Sequence, residues 1–301
     1  MCGEGIFHRH TLELTMYYGL VILAVMMFGL QFLANKQYQK ETGSGVFQAM
    51  LFNLFGCALG LPVLFFINKG KFEYTHFTLL MSCINFCNGF LFTLCALKAF
   101  ERVNLSVFSL LSMLGGMVLP LLAGVLFFNE KMTWGIAICV VCIVVALSLT
   151  VEKNKEKKKG GLFFYIGVFI FNGMSGVISK IYTDAPYTKA SSAGFSILTA
   201  IVTATVSLLF ILILWKKRSA ITKKAVLFGV VAGPLSRVAN YLLLLALTVL
   251  PASVNYPMVT GGTMLVSTMI AYFTAQKPKK KEWLAVVLSL IGILFLTLLP
   301  V

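Results

Sequence analysis

The sequence predicts an all-α integral membrane fold: ten transmembrane helices built as two inverted five-helix repeats. Three observations predict it. Hydrophobic residues make up 59% of the 301-residue chain, and its mean hydropathy is +0.91. The apolar residues fall into ten stretches, each near the roughly 20 residues that cross a bilayer's hydrocarbon core. Short motifs in the first five stretches recur in the last five at a nearly constant offset, which marks an internal duplication. In lipid every backbone group must pair within its own segment, so the stretches are helices.

Each element has its own justification. Residues 1–14 are polar and without period, so they read as an N-terminal tail; Met16 is a plausible alternative start, and no signal-peptide pattern is present. The first span, 15–35, leads through Gly29 to Lys36 and Tyr38. The second, 46–67, carries Asn53 and Gly56-x-x-x-Gly60, a spacing of small residues that lets helix backbones approach closely. The third, 76–97, holds Asn85 and Asn88 on one helix face. The fourth, 104–128, contains Ser112 to Leu119 with Gly115-Gly116 inside it, and ends at Asn129-Glu130-Lys131. The fifth, 132–151, opens near Trp134.

A basic linker, 152–161, separates the halves, which are residues 15–151 and 162–301. The sixth span, 162–181, sets Gly173, Lys180 and Tyr182 at the spacing of Gly29, Lys36 and Tyr38. The seventh is 191–215. The eighth, 224–247, has Arg237 near its middle. The ninth, 253–275, begins with Asn255, Tyr256 and Pro257 and continues through Val259 to Val266, the counterpart of 112–119, with Gly261-Gly262 inside it. Gln276-Lys277 and Trp283 then introduce the tenth, 282–299. Five spans per half is an odd number, so the halves run in opposite senses. Such inverted repeats rock around a site near the midplane.

The order of these motifs resembles the drug/metabolite transporter superfamily, in its EamA-type ten-helix branch. The resemblance covers the chain from about residue 16 onward. It rests on the five-plus-five plan, on Gly29-x(6)-Lys36 and Gly173-x(6)-Lys180, and on Asn129-Glu130-Lys131. It implies a ten-helix transporter, often an exporter of amino acids or related metabolites. Two departures stand out. Gln276 occupies the place matching Glu130, and Pro120 is displaced from a proline common in the family's fourth helix.

The net charge of +15 does not indicate nucleic acid. Lysines and arginines cluster between spans, where they set orientation and meet anionic headgroups. Most of them follow the odd-numbered spans, which taken alone puts those loops in the cytoplasm and both termini outside, whereas the resemblance implies both termini inside. Seven cysteines include Cys83 and Cys87 one turn apart, and Cys139-x-x-Cys142. Without His or acidic partners they read as small apolar residues, and no metal is expected. Gly173-Met174-Ser175-Gly176 matches the serine motif of intramembrane proteases, but no histidine lies within a span to act as its base. No phosphate-binding loop is present, so the expectation is no enzyme, no ATP coupling and no cofactor.

The polar groups at membrane depth are the functional candidates. Arg237, Asn240 and Tyr241 share a face; the guanidinium fork suits a carboxylate or phosphate. The alternative is a structural arginine beside Pro234. Asn85, Asn88, Asn255 and Tyr256 join the expected substrate set, with Asn172, Ser175 and Asn53 as weaker members. Gly115, Gly116, Gly261, Gly262 and Pro257 are hinge or packing candidates. Lys36 and Lys180 are expected to reach to the headgroups, with a gate role as the alternative. No Asp or Glu lies deep in a span, which disfavours carboxylate-based exchange of protons for cations. The reading is a plasma-membrane secondary transporter of an anionic or zwitterionic metabolite. Its rivals are a polyspecific exporter of lipophilic drugs and a non-transporting scaffold. The partners expected are a small-molecule substrate, the lipid bilayer and a second copy in a homodimer, with no nucleic acid.

Overall fold

The computed structural model describes residues 2–101, 105–129, 131–150, 161–217, 221–273 and 280–299. They form ten helices: α1 (Cys2–Thr42), α2 (Val46–Ile67), α3 (His76–Phe100), α4 (Leu105–Phe127), α5 (Trp134–Thr150), α6 (Gly161–Asp184), α7 (Ser192–Ile213), α8 (Lys223–Ala246), α9 (Ala252–Phe273) and α10 (Lys280–Leu298). Each falls within a few residues of one apolar stretch, apart from α1, which takes in the residues read as a tail. Glu130, Gln276, Lys277 and the basic linker up to residue 160 lie outside the described residues.

Six helices are long and apolar enough to cross a membrane among the described residues: 15–42, 46–67, 76–100, 163–184, 192–213 and 223–246. Their outer faces present large apolar side chains, Phe66 at 87% exposure among them. A surface this apolar is stable only against hydrocarbon. Hydroxyl caps start several helices: Thr75 accepts from the Thr78 amide, Ser191 from Gly194 and Thr222 from Ala225, each at 3.1 Å. Each satisfies one of the orphan amides at a helix N-terminus. Gly43, at φ 83°, ends α1 in the left-handed region that glycine reaches without strain.

The helix contacts repeat under exchange of α1–α5 with α6–α10. α1 packs on α8 and α9 as α6 packs on α3 and α4. α2 packs on α8 as α7 packs on α3, while α2–α7, α4–α9 and α5–α10 each join an element to its counterpart. The motifs explain this pattern residue by residue. Gly29 lies against Val266, and Gly173 against Leu119, the two ends of the matched 112–119 and 259–266 segments. Gly262 lies against Val25, and Gly115 against the backbone of Phe169. Tyr38 donates to the Gln48 carbonyl at 2.8 Å, and its counterpart Tyr182 to the Ala190 carbonyl at 2.6 Å. Both rings are fully buried.

Gly115 and Gly262 thus lie at close helix contacts. α4 and α9 run unbroken through Gly115, Gly116, Gly261, Gly262 and Pro257. The Gly173 to Gly176 motif lies at such a contact too. Gly176 sits against Pro120 and Tyr256, as Gly173 does against Leu119.

Candidate functional site

The bundle encloses a cavity of about 260 Å³, lined by α1 to α4 from one half and α6 to α9 from the other. α5 and α10 stand outside it and pack on each other. Phenylalanines make much of the wall, including Phe28, Phe32, Phe52, Phe92, Phe171 and Phe195. Amides and hydroxyls supply the polar part, and no acidic residue lines it among the described residues.

On α8 the lining stripe is Gly233, Ser236, Arg237, Asn240, Leu243 and Leu244, the three-and-four spacing of one helix face. Arg237 reaches it through a slot made by the small residues of α2. Gly56 lies against Gly233, and a Cβ at position 60 would meet the Arg237 Cγ at 2.8 Å. The guanidinium Nη2 donates to the Cys57 Sγ at 3.2 Å. No described carboxylate lies within ion-pair distance of it. Arg237 is thus a half-buried cation facing the cavity, held by one thiol and without a counter-charge among the described residues.

Other polar groups tie helices together at the rim of the same space. Asn88 Nδ2 donates to the Phe171 carbonyl at 2.9 Å, and Asn172 Nδ2 to the Ser112 carbonyl at 2.5 Å. Tyr256 donates to the Gly176 carbonyl at 2.7 Å. Thr93 donates to Asn53 Oδ1 at 3.3 Å. Asn240 returns its Nδ2 to the Ser236 carbonyl at 2.8 Å.

The structure thus brings Arg237, Asn240, Asn85, Asn88 and Tyr256 to one cavity, with Gly116, Asn53, Asn172 and Ser175. It leaves two members of the expected set outside. Tyr241 packs beside Cys57, Leu64 and Ile197, because it lies one step around α8 beyond the lining stripe. Asn255 is fully buried and turned to the Leu243 carbonyl at 3.4 Å. Lys36 and Lys180 are also away from the lining, and they do not reach out to headgroups. They are 8% and 7% exposed, and Lys180 pairs with Asp184 at 3.0 Å beside the Phe128 ring. Gln31, Asn35, Thr260 and Thr263 line the cavity without having been singled out in the sequence. For Gln31 and Asn35 the signal was the spacing Phe28, Gln31, Phe32, Asn35, a polar and aromatic stripe in the first span.

Outside the cavity, each end of α2 carries a polar strap. At its N-terminal end Glu41 accepts from Thr222 at 3.0 Å, and Ser44 donates to Glu101. Beyond its C-terminal end Glu73 accepts from the Ser191 amide at 2.5 Å and the Ser191 hydroxyl at 2.9 Å, joining the two halves. The backbone bond from Ser191 holds the Glu73 carboxyl below its ordinary 4.5, against a weaker opposing effect of burial.

Residues 15–152 match the model of the EamA-like transporter family. No curated protein gives a significant match. A solved structure described only as "Crystal structure of protein" superimposes with a TM-score of 0.69 at 12% identity, covering 95% of this chain and 97% of that one. At that identity the likeness speaks for the fold, and it extends over both halves. The first five-helix half is similar to the EamA-like transporter family over residues 15–152, and the ten-helix fold shared with the solved structure runs through both halves.

Proposed function

We propose that the molecule is a secondary transporter that moves a small organic anion or zwitterion across the plasma membrane, outward, by alternating access of its central cavity. The observation that carries this reading is Arg237, which faces a cavity built by both halves and has no described carboxylate within ion-pair distance. Amides of Asn85, Asn88 and Asn240 border the same space and are suited to the cargo's polar groups. The phenylalanine walls are suited to an apolar body. Export and the plasma membrane follow from the family resemblance.

The test is a thermal-shift screen of the purified protein against amino acids, organic acids, nucleosides and lipophilic cations. A ligand that binds only the folded state adds about 2.7 kcal/mol at a hundredfold excess over Kd. Carboxylates are expected to stabilise the wild type and to lose that effect in Arg237→Ala. Stabilisation by lipophilic cations alone, unchanged in the variant, would replace this reading with a drug exporter. The aromatic walls are the one observation on that side.

A further inference from the structure

α1 presents Phe28, Gln31, Phe32 and Asn35 to the cavity. Gln31 and Asn35 lie one turn apart and are 7% and 6% exposed. Their side-chain oxygens have no partner among the described residues. Thr263 on the neighbouring α9 borders the same cavity, is 2% exposed, and has a hydroxyl in the same condition. A buried polar atom without a partner keeps its full desolvation penalty. Native structures hold few such atoms, and their concentration at one place asks for a cause. Two of them lie one turn apart on one face of α1; Thr263 sits more than a turn away along the α1–α9 contact, at the level of Val25.

The internal repeat sharpens the point. The register that pairs Gly29, Lys36 and Tyr38 with Gly173, Lys180 and Tyr182 sets Gln31 and Asn35 opposite Ser175 and Ser179. All four side chains line the cavity. On α6 the Ser179 hydroxyl turns back to the Ser175 backbone carbonyl at 2.9 Å. The side-chain oxygens of the α1 pair have no such partner. Where helix packing dictates the residue, the halves agree. At these two cavity positions they differ, and the difference leaves acceptors unmet.

We propose that Gln31 and Asn35 form a hydrogen-bonding subsite, separate from Arg237, that receives neutral O–H or N–H donors of the cargo. The cargo class is then an organic anion with an apolar body that also bears a hydroxyl or amino group. The anionic part of that description rests on the function proposed above; the subsite itself does not.

The experiment uses the full-length protein in detergent, with matched probes that differ by one hydroxyl. The pairs are phenylacetate with 4-hydroxyphenylacetate, and 3-phenylpropionate with 3-(4-hydroxyphenyl)propionate. The wild type is expected to bind the hydroxylated member of at least one pair about tenfold more tightly, the worth of one good hydrogen bond. In Gln31→Leu/Asn35→Leu that preference falls to within twofold, while affinity for the hydroxyl-free member is retained. Without any probe, the melting temperature of this variant rises by about 2–4 °C per satisfied site, whereas removal of a structural hydrogen bond lowers it. Arg237→Gln weakens both members alike and keeps their ratio. If Arg237→Gln leaves both affinities untouched while the hydroxyl preference holds, the anion reading fails and the subsite stands. The subsite is overturned if the double variant keeps the preference, or if the wild type shows none in either pair. Should the double variant not purify, Gln31→Met and Asn35→Leu singly decide the same ratio.

Discussion

Arg237 owes its position to glycine. Its stem passes Gly60 so closely that a methyl there meets Cγ at 2.8 Å and Cβ at 3.2 Å. Gly60→Ala is therefore expected to push the guanidinium out of place. Carboxylate affinity should fall by about tenfold or more, the worth of one charge-assisted hydrogen bond. Gly89, with nothing within 4 Å of an added Cβ, supplies the control: Gly89→Ala should fold and melt at or above the wild-type temperature. Equal carboxylate affinity in Gly60→Ala and the wild type would refute the slot. This residue was legible in the sequence because a charge at membrane depth is rare enough to stand out. Tyr241 was misplaced because four residues on a helix return only to within about 40° of the same direction, and the cavity stripe ends at Arg237. Gln31 and Asn35 were passed over because an uncharged amide in an apolar span is a weaker signal than the lysine beside them.

At the scale of the helix pair, the two crossings of α1 on α9 and α6 on α4 are images of one another. Gly29→Ala would meet the side chain of Val266, and Gly173→Ala would meet Leu119 and the backbone carbonyl of Gly115. Overpacking of this kind costs about 1–3 kcal/mol. Both variants should melt below the wild type, with Gly173→Ala the worse, because a side chain can rotate away and a carbonyl cannot. The reverse order in a melting series would contradict this. Tyr38→Phe and Tyr182→Phe form a second pair: each loses a bond to a carbonyl near the start of the next helix, at about 1 kcal/mol, and Tyr182→Phe loses in addition the contact with the Thr78 hydroxyl at 3.2 Å, so it should cost more. The helices and the repeat were readable from hydropathy and motif spacing, because the bilayer fixes span length and packing fixes the small residues. Which flank of each helix faces the cavity was not readable. That depends on how eight helices tilt together, and the sequence of one helix does not contain it.

For the whole molecule, the strap between Glu73 and Ser191 predicts how acid acts on the assembled halves. The Glu73 carboxyl is depressed in the folded state, chiefly by the Ser191 amide, so its contribution is present above the ordinary 4.5 and is lost as pH falls through the lower folded value. The wild type should melt above Glu73→Gln near neutral pH, and the gap should close on acidification below about 4.5. Parallel profiles of the two proteins would show that the strap carries no charge-dependent holding. The cavity has a different whole-molecule meaning. A shell with two-fold internal symmetry would offer any guest two equivalent poses, head to one half or head to the other. Arg237 in α8 has no basic partner among the lining residues of α3, so that degeneracy is removed. Under the transport proposed above, a guest held by its anionic end would keep one handed pose throughout its passage and leave on the far side still pointing at α8, translated without being turned over.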